Sequence, residues 1–446
     1  MTSLTFQRRQ PFAEPGFAGR EREAARGVRA LALIDGEHYA PVVRDALAAL
    51  PYEVAAAVLV GGTEKLRGGD DYGVPLSHDL EDAIAELEPE LVYDLSDEPV
   101  LGPRDRFRLA SRVLAAGLPY VGADFRFDPP AFAPFELPSI SIVGTGKRVG
   151  KTAVAGHAAR VLAADLDVVV VAMGRGGPPE PELAPAPPTV EELLELSRAG
   201  RHASSDYLED AAFAGIVTIG CRRAGGGLAG QPAFSNVPAG AALAASRRPG
   251  LVVFEGSGAA LPPIATGRRV LVVSGAQDPE LAAGYLNAYR ILISDLVVLT
   301  MAEEDVPYER VHEAVEEVKP GVPVVPAVLR PRPVSSISGK RVAFFTTARA
   351  SAHDRLASHL REAHGAASVS VSGNLADREL LRTDLNLADA DVYLAELKAA
   401  AIDVVAEAAV ERGVELVLAD NEVVGQGLDA EIRALADAVV EPVLQR

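Results

Sequence analysis

The sequence predicts an α/β protein with mainly parallel sheets, in which a central domain is flanked by N- and C-terminal α/β domains. Three observations carry this. Short apolar, β-branched runs alternate with longer Ala/Leu/Glu/Arg segments of helical spacing, the pattern of βα units. Two proline-rich passages, Asp128–Pro138 and Arg330–Pro333, interrupt the alternation and cut the chain into three blocks, expected as domains 1–137, 138–333 and 334–446. The second block opens with a glycine-rich loop between a strand-like and a helix-like segment. A chain of 446 residues also exceeds what one ordinary core holds, so two or three domains are expected.

The elements follow in order. The first block carries strands at Val28–Ile34, Val54–Val60, Leu91–Leu95 and Pro119–Gly122. The second carries Ser139–Val143, Val168–Met173, Leu251–Phe254, Val270–Ser274 and Leu296–Thr300. The third carries Arg341–Thr346, Val369–Val371, Val392–Leu394 and Leu416–Leu418, with a helix at Ala399–Arg412. Two passages of the second block read as loops. Gly174–Thr189 holds six prolines after Gly-Arg-Gly-Gly, and Arg222–Gly230 is glycine-rich behind paired arginines. A plain surface insertion is the alternative reading of each.

Composition narrows the function. Hydrophobic residues make up 48% and charged residues 24%, the balance of a globular domain protein. A net charge of −19 argues against general nucleic-acid binding, which needs a basic face. The single Cys221 excludes an intramolecular disulfide and a cysteine zinc site. No basic-then-apolar leader opens the chain: Met1–Arg26 is polar, with scattered arginines. Apolar runs such as Val168–Met173 are too short to span a bilayer, so no membrane role is expected and a reducing cytoplasm is the expected home. The absence of Trp, the scarcity of Cys and Met and the 32 prolines lean towards a heat-adapted source, although a GC-rich genome gives a similar bias.

The loop reads Gly144-Thr145-Gly146-Lys147-Arg148-Val149-Gly150-Lys151-Thr152. Strand, glycine loop and helix together make a phosphate cradle, in which successive N–H groups turn inwards and the new helix adds its positive end. Lys151 is expected on the β- and γ-phosphates of ATP and the Thr152 hydroxyl on Mg²⁺. The standard pattern wants glycine at 145, where this chain has Thr. The same departure occurs in dethiobiotin synthetase and its relatives, whose loops resemble this one. Such sites need an acidic Mg²⁺ partner at a neighbouring strand end. Leu251-Val-Val-Phe-Glu-Gly-Ser-Gly258 delivers Glu255 there and resembles the Glu-Gly-Ala-Gly segment of those enzymes. Ser205-Asp206 resembles their Ser-Asp pair and proposes Asp206 as a second carboxylate, with a helix N-cap as the alternative.

Basic residues gather around these turns: Lys147, Arg148, Arg175, His202, Arg222 and Arg223. Arginine forks suit phosphate and carboxylate oxygens, so the cluster points to an anionic acceptor. Lys147, Arg148 and Arg175, with Lys151, are the candidates for contact with the transferring phosphoryl group. The acids Asp35, Asp94, Asp97 and Glu98 could hold a metal or position an arginine, and Lys398 beside Glu396 could be a substrate ligand, but they read more simply as loop caps and half of an exposed ion pair.

Several ordered segments resemble the cyclic 2,3-diphosphoglycerate synthetases. They are Asp35-Gly-Glu-His-Tyr, Asp94-Leu-Ser-Asp-Glu-Pro-Val, the phosphate loop, Met173-Gly-Arg-Gly-Gly-Pro-Pro-Glu, Ala203-Ser-Ser-Asp-Tyr-Leu-Glu-Asp-Ala, Phe254-Glu-Gly-Ser-Gly, Glu396-Leu-Lys-Ala-Ala-Ala-Ile-Asp and Asp420-Asn-Glu. The resemblance implies that ATP and 2,3-diphosphoglycerate give cyclic 2,3-diphosphoglycerate, ADP and phosphate. Mg²⁺ is the expected cofactor, ATP and the acid the small-molecule partners, and a homodimer the expected assembly. Two alternatives stay open. One is another synthetase or kinase of the dethiobiotin or cobyrinate type. The other is a nucleotide switch, disfavoured because Lys147 lies one place later than the signature lysine of that class.

Overall fold

The computed structural model describes residues 27–444, apart from Gly69 and Pro99. The stretch Met1–Arg26 and Pro99 of the Asp94–Val100 segment therefore lie outside the described residues. The chain divides into two compact units at Pro129/Pro130, inside the first proline-rich passage.

The first unit is one twisted sheet with helices. Its strands are β1 (Arg29–Ile34), β2 (Glu53–Leu59), β3 (Leu76–Ser77), β4 (Leu91–Asp94), β5 (Tyr120–Val121) and β6 (Arg126–Phe127), in the order β3-β2-β1-β4-β5-β6. All neighbours are parallel except β5 and β6. The acids noted in the sequence stand where β1 and β4 end, and they are engaged locally. Asp35 accepts from the amides of Glu37 and Asp97 and holds His38 Nδ1 at 2.8 Å. Asp94 takes Arg106 Nε at 3.1 Å and the Tyr120 hydroxyl at 2.6 Å.

The second unit holds two sheets. The larger contains β7 (Ser139–Gly144), β8 (Val168–Gly174), β9 (Glu182–Ala184), β10 (Thr218–Ala224), β11 (Phe234–Ser235), β12 (Leu251–Glu255), β13 (Arg268–Ser274), β14 (Leu296–Thr300) and β15 (Val324–Pro326). Its order is β11-β10-β8-β12-β7-β13-β14-β15, with β9 antiparallel on β10. The central strands β7, β8, β12, β13 and β14 are buried along nearly their whole length, as parallel strands covered on both faces must be.

The smaller sheet contains β16 (Val328–Pro333), β17 (Arg341–Phe345), β18 (Ser368–Ser372), β19 (Val392–Glu396) and β20 (Glu415–Val424), in the order β16-β20-β19-β17-β18. Arg330–Pro333, which breaks the sequence pattern, is thus part of a strand and not a spacer. Pro331 and Pro333 are admitted because β16 is an edge strand, antiparallel to β20. The two sheets share one apolar cluster: Ala155, Ala159 and Leu162 of the helix after the phosphate loop pack in it with Ile402, Leu418, Val423, Ile432 and Val439.

The predicted helix at Ala399–Arg412 is a π-helical turn, Ala401–Ala406, continued by the α-helix Glu407–Arg412. The paired arginines likewise sit in strand β10 and not in a flexible loop. Sequence reading missed this strand because Gly220 interrupts it. The glycine is needed for packing: a β-carbon there would meet the Tyr207 ring at 2.6 Å.

Candidate active site

The phosphate loop follows β7 and opens the helix Lys151–Ala163. Arg148 and Gly150 take positive φ, 63° and 83°, the alternation that turns backbone N–H groups into a concave anion nest. Gly150 has no room for a side chain, since a β-carbon would lie 2.9 Å from Leu329 Cδ1. The Thr300 hydroxyl donates to the Val149 carbonyl at 2.7 Å and ties the loop to β14. Thr145 needs no glycine here. Its backbone continues the sheet through an amide bond to the Val272 carbonyl, and its hydroxyl donates to Gln277.

Strand order then places the acids. β12 lies between β7 and β8, with Glu255 paired in register with Ile142 and Ala172. Its carboxylate therefore comes up beside the loop, fully buried, and forms an ion pair with the Lys151 ammonium. Burial alone would lower the Lys151 pKa, but Glu255 and Asp206 hold it above its ordinary value. Asp206, at the start of the helix Asp206–Ala214, lines the same space. Burial first, then the Glu255 charge, raises its carboxyl. Behind it, burial and the Glu255 charge push Asp210 well up. Both Asp210 carboxyl oxygens and Glu255 Oε2 are buried without a hydrogen-bond partner.

Lys151 and Asp206 line a cavity of about 410 Å³ at the carboxyl ends of the strands, while Glu255 and Asp210 are buried and do not line it. The loop from Gly146 to Thr152 forms one side. Arg175 and His202 form the next, both exposed to the cavity, with the His202 ring against Gly176. Lys147 and Arg148 are solvent-exposed on its rim. The two remaining arginines part company. Arg223 donates to the Ser257 carbonyl at 2.8 Å, and its guanidinium and that of Arg175 both approach Gly258, which lines the cavity. Burial, then the Arg175 charge, lowers the Arg223 pKa, which marks two cations held close together. Arg222 does not line the cavity; its guanidinium lies over the Phe234 ring, 5.9 Å from the centroid.

With this geometry in view, the comparisons decide the family. Residues 29–128, 139–328 and 333–422 match the N-terminal, P-loop and C-terminal domains of cyclic 2,3-diphosphoglycerate synthetase. The chain belongs to the cyclic 2,3-diphosphoglycerate synthetase family. Its sequence is 50% identical to the synthetase of Rubrobacter xylanophilus over 431 residues, covering 92% of this chain and 98% of the relative. Identity to the Thermococcus kodakarensis synthetase is 45% over 406 residues, covering 87% and 93%. For the Methanothermus fervidus synthetase it is 40% over 445 residues, covering 93% and 96%. Among the described residues, no helix is long and apolar enough to cross a membrane.

The cavity has a further side that sequence reading assigned to an ordinary surface pair. Thr347, Ala376, Lys398 and Ala399, all from the smaller sheet and its connections, line it too. Lys398 is half-buried, not a fully exposed surface residue. Its side chain is 31% exposed, and its ammonium lies 3.1 Å from Glu209, which is buried. The signal was present in Glu396-Leu-Lys-Ala-Ala-Ala-Ile-Asp, but a lysine next to a glutamate reads the same way on any exposed helix.

Proposed function

We propose that the protein is an ATP-dependent synthetase that closes 2,3-diphosphoglycerate into its cyclic phosphoanhydride, releasing ADP and phosphate. The observation that supports this best is the cavity itself, where a phosphate loop lines one space of about 410 Å³ together with Arg175, His202 and Lys398. ATP phosphates would lie in the loop, with Lys151 on the β- and γ-phosphates. Lys147, Arg148, Arg175, His202 and Arg223 would hold the acid; Arg222 would support it from the adjacent strand position. One phosphate oxygen of the acid attacks the γ-phosphorus and ADP leaves, giving a mixed anhydride. An oxygen of the neighbouring phosphate then attacks the activated phosphorus. The ring P–O–P bond forms as inorganic phosphate departs. Both nucleophiles are already anions, so the protein's work is to bring repelling charges into line.

The residues present suit Mg²⁺. The Thr152 hydroxyl, Asp206 and Glu255 offer hard oxygens, and the mutual repulsion of the two carboxylates is what a cation relieves. When bound, Mg²⁺ supplies charge neutralisation of the phosphates. Lys151 forms an ion pair with Glu255. A cytoplasmic enzyme suits this reaction, since ATP is at hand there. A homodimer is our expectation for the assembly, to be tested by sedimentation equilibrium.

Phosphorus NMR of the protein with ATP, Mg²⁺ and 2,3-diphosphoglycerate tests the reading. A cyclic anhydride signal appearing with ADP is the expected result. ATP turnover dependent on another acid, such as diaminopelargonic acid, with no cyclic signal would transfer the protein to the dethiobiotin-type alternative.

A further inference from the structure

We propose that Lys398 is a substrate-contacting cation, and that the smaller sheet exists in part to present it to the acceptor acid in the cavity that the phosphate loop also lines. The inference rests on the proposed function and deepens it.

Topology carries the argument. From β17 the chain passes to β18 on one side and then to β19 on the other, so the direction of winding reverses between β17 and β19. In an open parallel sheet that reversal leaves a crevice at the carboxyl ends, where ligands bind. Thr347 comes two residues after β17 and Lys398 two residues after β19, and both line the cavity. The carboxyl ends of two parallel sheets therefore face one space. One brings a phosphate loop; the other brings an ammonium.

The local structure holds Lys398 for this use. Glu396, at the end of β19, is pinned by the Thr347 amide and hydroxyl at 3.1 and 3.2 Å and by the Asn421 amide group at 3.2 Å. The Lys398 amide turns back onto the Glu396 carbonyl at 2.8 Å. Ala399 follows with φ of 48°, a costly conformation for alanine, and the π-helical turn begins at Ala401. Strain of this kind persists only where the surroundings enforce it, and here it aims one side chain.

The charge balance agrees. Burial would lower the Lys398 pKa, yet Glu209 and Glu396 keep it above its ordinary value, so the ammonium stays charged. Glu209 responds the other way: burial outweighs Lys398 and raises its carboxyl to about 8. The ammonium donates to Glu209 Oε1 at 3.1 Å, which positions its charge beside the cavity. That charge is left for an anion entering the cavity.

Steady-state kinetics of Lys398→Met, Lys398→Arg and Glu209→Gln tests this. Lys398→Met should raise the KM for 2,3-diphosphoglycerate at least about tenfold, the loss of one charge-assisted contact, with the KM for ATP changed less than about twofold. Lys398→Arg should restore most of the acid affinity. Glu209→Gln should raise the acid KM less than Lys398→Met does, because the charge remains. An unchanged acid KM in Lys398→Met, or equal rises for both substrates in Lys398→Met and Lys398→Arg, would assign Lys398 to structure and overturn the proposal. In either case cyclisation by the parent protein would stand. A parent that makes no cyclic product overturns the functional reading and this inference together.

Discussion

The two sides of the cavity were built in different ways. The loop side is a continuous run of nine residues, Gly144–Thr152, whose geometry follows from its own backbone preferences. The other side is assembled from residues far apart in sequence, Thr347, Ala376 and Lys398, that meet only because of strand order. On the loop side a cation is buried against a carboxylate, Lys151 with Glu255. On the other, part-exposed Lys398 meets a carboxyl that burial raises to about 8. The difference teaches that similar Lys–Glu pairs can be set differently: in one both partners are buried, in the other the cation is part-exposed at the cavity.

Breaking the loop side should have the largest effect. Lys151→Ala should lower turnover at least about 10²–10³-fold, the scale for a lost transition-state donor. It also leaves Glu255 buried without its ion-pair partner, a cost of about 3–5 kcal/mol. Comparing Lys151→Ala with Lys151→Ala/Glu255→Gln separates the two effects: the double variant should recover thermal stability but not turnover. Near-normal turnover in either folded variant would remove Lys151 from catalysis.

Glu255→Gln comes next. It should shift the Mg²⁺ concentration for half-maximal activity upwards at least about tenfold, and Asp206→Asn should act in the same direction more weakly. Titration of activity with Mg²⁺ reads both. An unmoved curve for Glu255→Gln would leave the glutamate as a partner of Lys151 only.

Arg175→Ala is the smaller perturbation, confined to the acceptor. We expect the KM for the acid to rise about tenfold, with ATP binding little altered because the loop backbone and Lys151 carry it. A rise in the ATP requirement alone would place Arg175 on the nucleotide.

The smallest effect sharpens the contrast between the two carboxyls. Glu209 is raised from its ordinary value to about 8, so the folded protein binds its proton more tightly than the unfolded chain does. That contribution to stability is full below about pH 4.5 and is lost as pH rises through about 8. Glu209→Gln mimics the protonated form. Its unfolding midpoint relative to the parent should therefore be more favourable at pH 9 than at pH 5. Equal differences at both pH values would mean that Glu209 is ionised throughout.

Much of the fold was legible because parallel strands buried on both faces write themselves as unbroken apolar runs, as in Val168–Met173 and Leu251–Phe254. Strand β10 was not, because Gly220 and the paired arginines disguise a strand whose packing partner, Tyr207, lies in another element. Strand β16 was hidden by prolines that only an edge position accepts. The sequence by itself determined the phosphate loop and the glutamate that serves it, since both are written in contiguous residues with fixed local geometry. The tertiary structure alone decided that Arg175 and Arg223 converge while Arg222 turns aside to Phe234. It alone decided, too, that Lys398 lines the same cavity as the loop. The reason is physical: a motif's shape comes from its own backbone, but a side chain's partner across a cavity comes from the order in which strands pair, and no short stretch of sequence contains that order.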